Sequence, residues 1–166
     1  PFVYQNMMGM SATGYAIAFA INAIGMVSCT ALSGKLAKRY SLEKLIALGL
    51  AVNVTAVAGI GLVTVSGADI RLMAICFFFI VASLGFIFGN STAVALSAVD
   101  RAAVGTASAM IGMSQFALGG IATATAGLSG ENSTVALAIV SAVSAACALS
   151  AFLVARKAPV KVHRIG

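Results

Sequence analysis

The chain has 166 residues, of which 61% are hydrophobic and 8% charged, with a net charge of +6 and a mean hydropathy of +1.07. A soluble domain carries about 25% charged residues, so this composition excludes a water-solvated globular fold and predicts a membrane protein. The positive charge does not indicate a nucleic-acid partner, because the Lys and Arg residues lie in short polar gaps between apolar segments or in the C-terminal tail.

Five uninterrupted apolar segments predict five transmembrane helices and therefore an all-α membrane protein. Each segment reaches the about 20 residues that a helix needs to cross the hydrocarbon core. Continuous apolar runs exclude barrel strands, in which lipid-facing and lumen-facing residues alternate. Ser11 is expected to cap the first helix. The predicted spans cover about 12–33, 45–65, 72–97, 104–128 and 135–155.

The most charged stretch, GKLAKRYSLEK at residues 34–44, separates the first two spans. A short basic loop between two spans is retained in the cytoplasm, and this choice fixes the side of every other gap. The outer side then carries only Arg71. We expect a multi-pass protein of the inner (plasma) membrane, with the chain start outside and the C-terminus in the cytoplasm. The inner side carries Lys35, Lys38, Arg39, Lys44, Arg101, Arg156, Lys157, Lys161 and Arg164.

The first residue is Pro1, and no signal peptide precedes the first span, although the chain start is predicted outside. We therefore expect a preceding span, and we interpret the whole of 1–166 as a partial C-terminal transmembrane domain of a longer protein.

Residues that carry catalysis or bind metals are not grouped in this sequence. Three cysteines fall in different spans without metal-site spacing, and there is no Ser/His/Asp set, carboxylate pair or phosphate loop. We predict a protein that is not an enzyme and that uses no metal or cofactor. No Asp, Glu, Lys or Arg lies inside a predicted span, so a carboxylate that couples transport to an ion would lie elsewhere.

Small and polar residues recur at steps of three and four in the first and fourth spans, which puts each row on one helix face. In lipid, such faces turn toward other helices because small residues allow close approach. We expect a helix-packing role for the glycines of these rows, namely Gly14, Gly25, Gly105, Gly112 and Gly119.

Primary amides of Asn22, Asn90 and Gln115 lie at roughly mid-depth in three spans. An amide without a partner in an apolar medium is costly, so each must face another helix or a water-filled cavity. The residue pattern leaves both interpretations open for these three amides. For Asn53 in the second span we favour helix packing.

The loop Gly34–Arg39 resembles the cytoplasmic signature of the major facilitator superfamily, a Gly-x-Leu-Ala-Asp-Arg pattern, with Lys38 where the signature has Asp. The resemblance extends to the Bcr/CflA-type drug-resistance transporters and covers nearly the whole chain, as helices eight to twelve of a twelve-helix carrier. It is carried by PFVYQ at 1–5, FAINAIG at 19–25, GNSTA at 89–93, GTASA at 105–109 and QF at 115–116.

This resemblance implies export of small amphipathic compounds in exchange for protons, by alternating access between two six-helix halves. The partners would be the small-molecule substrate, protons, the lipid bilayer and the missing N-terminal half. The first, third and fourth spans would flank the substrate cavity, with the other two outside. The expected substrate-path residues are Asn22, Asn90, Gln115 and Phe116, and the signature loop contributes Gly34, Lys38 and Arg39.

Three alternatives fit the sequence less well. A membrane anchor or sensor that transports nothing would carry a soluble domain or a ligand-reading loop, and all gaps here are short. An intramembrane enzyme would need a His, Asp or Glu at membrane depth. Half of a ten-helix small-metabolite exporter also has five spans, but it would lack the basic loop and begin with Met.

Overall fold

The structure, a computed structural model, describes residues 8–128 and 134–157. These residues form five long α-helices and no strand, which confirms the predicted all-α fold, and each helix is long and apolar enough to cross a membrane. The PFVYQ segment, the predicted turn around Glu131 and the tail from residue 158 lie outside the described residues. The helices are α1 (Ala12–Leu36), α2 (Leu42–Ser66), α3 (Leu72–Ser97), α4 (Val104–Leu128) and α5 (Thr134–Lys157).

Short, locally hydrogen-bonded segments join the first four helices. The Ser11 hydroxyl accepts a hydrogen bond from the Gly14 amide at 3.1 Å, which confirms Ser11 as the cap of α1. Gly67 ends α2 with a φ of 64°, a left-handed conformation that glycine adopts without steric cost. In the next turn, the Asp69 carboxylate accepts from the Arg71 amide at 2.9 Å. These tight connections make neighbouring helices run in opposite directions.

Helix α3 is the centre of the bundle. It packs most extensively against α2 and α1, and α5 packs against α2. Ile60 of α2 and Met73 of α3 are almost completely buried and form an apolar core with Leu137 of α5. Helix α4 touches its neighbours little, and residues 101–125 include no buried side chain. The bundle therefore leaves α4 with nearly its whole described surface uncovered.

The contacts between helices define which ends lie together. Ser33 of α1 contacts Asn90 of α3, and Gly25 contacts Phe78, so these two helices run parallel. Helix α2 runs antiparallel to both. The loop at 37–41, the turn at 98–103 and the end of α5 consequently share one end of the bundle, which we call the basic end. Its described cations are Lys35, Lys38, Arg39, Lys44, Arg101, Arg156 and Lys157.

Hydroxyl side chains within the helices are satisfied locally. Several donate to the backbone carbonyl four residues earlier in their own helix, at 2.7–2.9 Å, so they need neither water nor a second helix. Every buried side-chain nitrogen and oxygen in the described part of the chain has a hydrogen-bond partner. Hydroxyls are therefore poor markers of a cavity here. Those with this bond include Thr30, Thr55, Thr64, Ser114, Thr123 and Ser150.

Candidate functional site

Asn90 joins α3 to α1. Its amide nitrogen donates to the Ser33 hydroxyl at 2.8 Å and to the Phe86 carbonyl at 2.7 Å. Both Asn90 and Ser33 are buried, with 7% and 3% of their surface exposed. Of the two interpretations that the sequence left open, an interhelical hydrogen bond is therefore present at Asn90. A role for Asn90 in the substrate path stays a prediction.

Close backbone contact supports this bond from within the same interface. A Cβ atom at Gly85 would lie 2.6 Å from the Met26 carbonyl oxygen and 2.8 Å from the Thr30 nitrogen, so only hydrogen fits between the two helices. At Gly25, a Cβ atom would lie 2.6 Å from the ring of Phe78. Helices α1 and α3 thus approach through glycine, which brings Ser33 within hydrogen-bond reach of Asn90.

The other glycines of the predicted packing rows lie in open surroundings. Within the described part of the chain, a Cβ atom at Gly105, Gly112 or Gly119 of α4 would meet no atom within 4 Å. A Cβ atom at Gly14 would meet only Ser11 and Met10, next to it in the chain. The packing role of these four glycines stays a prediction. They could fulfil it only against a partner other than the described helices.

The remaining substrate-path candidates are separated from Asn90. Asn22 is half-buried on α1, whereas Gln115 and Phe116 lie exposed on α4, Phe116 with 86% of its surface free. Helices α1 and α4 share no extensive contact among the described residues. The structure thus ties Asn90 to α1 but does not gather the four candidates into one site.

The signature loop continues from the end of α1. The Ala37 amide donates to the Ser33 carbonyl at 2.8 Å, and the Arg39 amide donates to the Leu36 carbonyl at 2.9 Å. Lys38 and Arg39 are exposed at the basic end, and a Cβ atom at Gly34 would meet nothing within 4 Å. The loop therefore offers exposed positive charge and an open glycine, without a described contact to another helix.

The α2–α3 interface contains a glycine that the sequence did not single out. A Cβ atom at Gly49 would lie 2.8 Å from Ile87 Cγ1 and 2.9 Å from Phe86 Cβ. In the same interface the Asn53 amide nitrogen donates to the Ser83 hydroxyl at 3.1 Å, which agrees with the packing role favoured for Asn53. The sequence did contain a signal for this interface, because Gly49, Asn53 and Ala56 follow at steps of four and three and so share one face of α2.

By its five membrane-length helices, this chain is a multi-pass membrane protein. It is 25% identical over 152 residues to the uncharacterized MFS-type transporter YdgK of Bacillus subtilis (strain 168). The matched region includes 92% of this chain but only 37% of YdgK, so the chain spans little more than a third of that relative. The match supports a transporter fragment of the MFS type and does not distinguish among branches of that superfamily.

No family model matches the sequence. No solved structure matches it either.

Proposed function

We propose that this chain is helices eight to twelve of a twelve-helix secondary transporter of the major facilitator superfamily. The observation that carries the proposal is the similarity to YdgK, which extends over 92% of the chain and therefore includes at least the greater part of every helix. The 37% of YdgK that is matched is close to the share that five helices take of twelve. The small-residue face of α4 fits this proposal, because the rest of such a carrier would cover it.

The finer proposal is export of small amphipathic compounds in exchange for protons, as the likeness to Bcr/CflA-type sequences implies. Alternating access would move this helix group against the N-terminal half around a substrate site near the membrane midplane. No acidic residue lies deeper in α1–α5 than Glu43 in the first turn of α2. The carboxylate that binds the proton would therefore belong to the rest of the protein.

Within this proposal, α1, α3 and α4 flank the cavity and their candidates have different roles. Gln115 would hydrogen-bond polar groups of the substrate, and the exposed ring of Phe116 would contact its apolar part. Asn22 would contribute a second amide from α1. Asn90 would hold α1 against α3 through Ser33 and so position Asn22 beside the substrate path.

Transport assays on the full-length protein test these roles. Replacing Gln115 by alanine removes one hydrogen bond to the substrate, which is worth about fivefold in export rate. We expect a similar loss for Phe116→Ala. The measurement is accumulation of a fluorescent cationic drug in energised cells, with a protonophore to remove the proton gradient.

The control for this assay is Ile121→Ala. Ile121 is exposed, as Gln115 and Phe116 are, with 64% of its surface free. At 100° per residue, Ile121 lies about 120° around α4 from Gln115 and about 140° from Phe116, so it is on a different face from both. Unchanged efflux in both Gln115→Ala and Phe116→Ala would refute the substrate-path assignment. Efflux that continues at the same rate after the protonophore is added would refute proton coupling.

The proposed orientation predicts opposite labelling of two exposed positions. In a background with Cys29, Cys76 and Cys147 replaced by alanine, we expect a membrane-impermeant maleimide to label Asp69→Cys on intact cells. Tyr40→Cys, which lies in the basic loop and is 52% exposed, should react only after the cells are permeabilised. The reverse pattern would contradict the assignment of the basic end to the cytoplasm.

A further inference from the structure

An open groove lies at the basic end between the start of α2, the end of α3 and the end of α5. Its volume is about 440 Å³. The walls are almost entirely apolar and include Ile46, Leu50, Ile87 and Ala151, whereas Glu43 and Arg156 stand in the first turn of α2 and the last turn of α5. The groove is therefore apolar along its length and charged at one end.

The length of the groove fits one leaflet of a bilayer. From Glu43 to Leu50 along α2, and from Arg156 to Ala148 along α5, a helical rise of 1.5 Å per residue gives about 10–12 Å. Half of the hydrocarbon thickness is about 15 Å. An occupant with a charged head at Glu43 and Arg156 would therefore extend its tail through most of the adjacent leaflet.

The two charges select the head group of that occupant. The Arg156 guanidinium lies 5.8 Å from the ring centre of Phe152, another lining residue, and it presents the donors that suit a phosphate. The Glu43 carboxylate accepts hydrogen bonds from a primary ammonium group and repels a head group that is only anionic. A choline head group is cationic but has no N–H to donate, so it satisfies Glu43 less well.

We propose that this groove binds a membrane phospholipid with a primary-amine head group, such as phosphatidylethanolamine. Its phosphate contacts Arg156, its ammonium contacts Glu43, and one acyl chain lies along Ile46, Leu50 and Ile87. This inference depends on the helices spanning a bilayer. It does not depend on the proposed transport activity, and it holds even if the protein exports nothing.

Photo-crosslinking of the full-length protein in lipid nanodiscs tests the proposal. The probe is phosphatidylethanolamine with a diazirine on one acyl chain, compared with the same probe bearing a choline or glycerol head group. We expect adducts on the peptides that contain the start of α2 and the end of α5. The ethanolamine probe should give about 1.4- to fivefold more adduct than either analogue, the range for an exposed ion pair.

Four variants separate the head-group contact from the groove itself. Glu43→Gln should remove the preference for ethanolamine over choline. Ala151→Phe should fill the groove and lower adducts from all three probes, with the exposed Ala148→Phe as a second filling variant if the first is not monodisperse. Lys38→Gln changes a charge at the same end outside the groove and should leave the adduct yields of all three probes unchanged. Wild-type protein without adducts on these peptides, or with equal adducts from all probes, would overturn the proposal.

Discussion

Replacing Gly85 with alanine is expected to lower the free energy of unfolding by about 1–3 kcal/mol. The new methyl group would press on the Met26 carbonyl and the Thr30 nitrogen of α1, and backbone atoms cannot rotate away as a flexible side chain can. Helices α1 and α3 would have to separate. That separation would also lengthen the hydrogen bond from Asn90 to Ser33 in the same interface.

The matched control for this substitution is Gly89→Ala, one turn further along α3, where a Cβ atom would meet nothing within 4 Å. Alanine raises helix propensity by up to about 1 kcal/mol over glycine at both positions, so this gain cancels in the comparison. The measurement is the melting temperature of the full-length protein in detergent, followed as the loss of the monodisperse peak in size-exclusion chromatography after heating. Equal melting temperatures for the two variants would contradict the close α1–α3 crossing.

Replacing Asn90 with aspartate is expected to destabilise the protein by about 3 kcal/mol at neutral pH. The amide nitrogen donates two hydrogen bonds, to Ser33 and to the Phe86 carbonyl. Aspartate loses both donors and puts a negative charge against that carbonyl in a buried place. Asn90→Leu removes the hydrogen bonds without adding charge, so it should cost less than Asn90→Asp.

A second variant distinguishes a structural role of Asn90 from a substrate contact. Ser33→Ala removes the partner hydroxyl on α1 and should cost about 0.6 kcal/mol, the average for an interhelical hydrogen bond in a membrane protein. Combined with Asn90→Leu, its effect on the melting temperature should largely disappear, because the shared bond is already gone. If Asn90→Asp changes transport but leaves the melting temperature unaltered, the structural role is wrong.

Some features of the site could be predicted from the sequence, and others could not. An amide at membrane depth needs a polar partner, so the sequence singled out Asn90 but left a second helix and a water-filled cavity both open as that partner. The identity of that partner was not accessible, because Ser33 belongs to a row of small residues that all looked equivalent. A Cβ atom at Gly25, one of the glycines predicted to pack, would meet Phe78, whereas Gly49 of the α2–α3 interface was not among the predicted glycines. The groove with Glu43 and Arg156 involves three helices and had no sequence signal.

Hydropathy along the chain was sufficient for five membrane-length helices, since lipid offers no hydrogen bonds and each apolar segment must satisfy its own backbone. The start of α1 was also local information, because a serine before an apolar segment can cap the first turn, as Ser11 does. Only the tertiary structure decided that Ser33 meets Asn90, 57 residues later, and that α1 and α3 touch at Gly85. Such contacts depend on the matching shapes of two distant helices, and a property read along one helix carries no information about the shape of another.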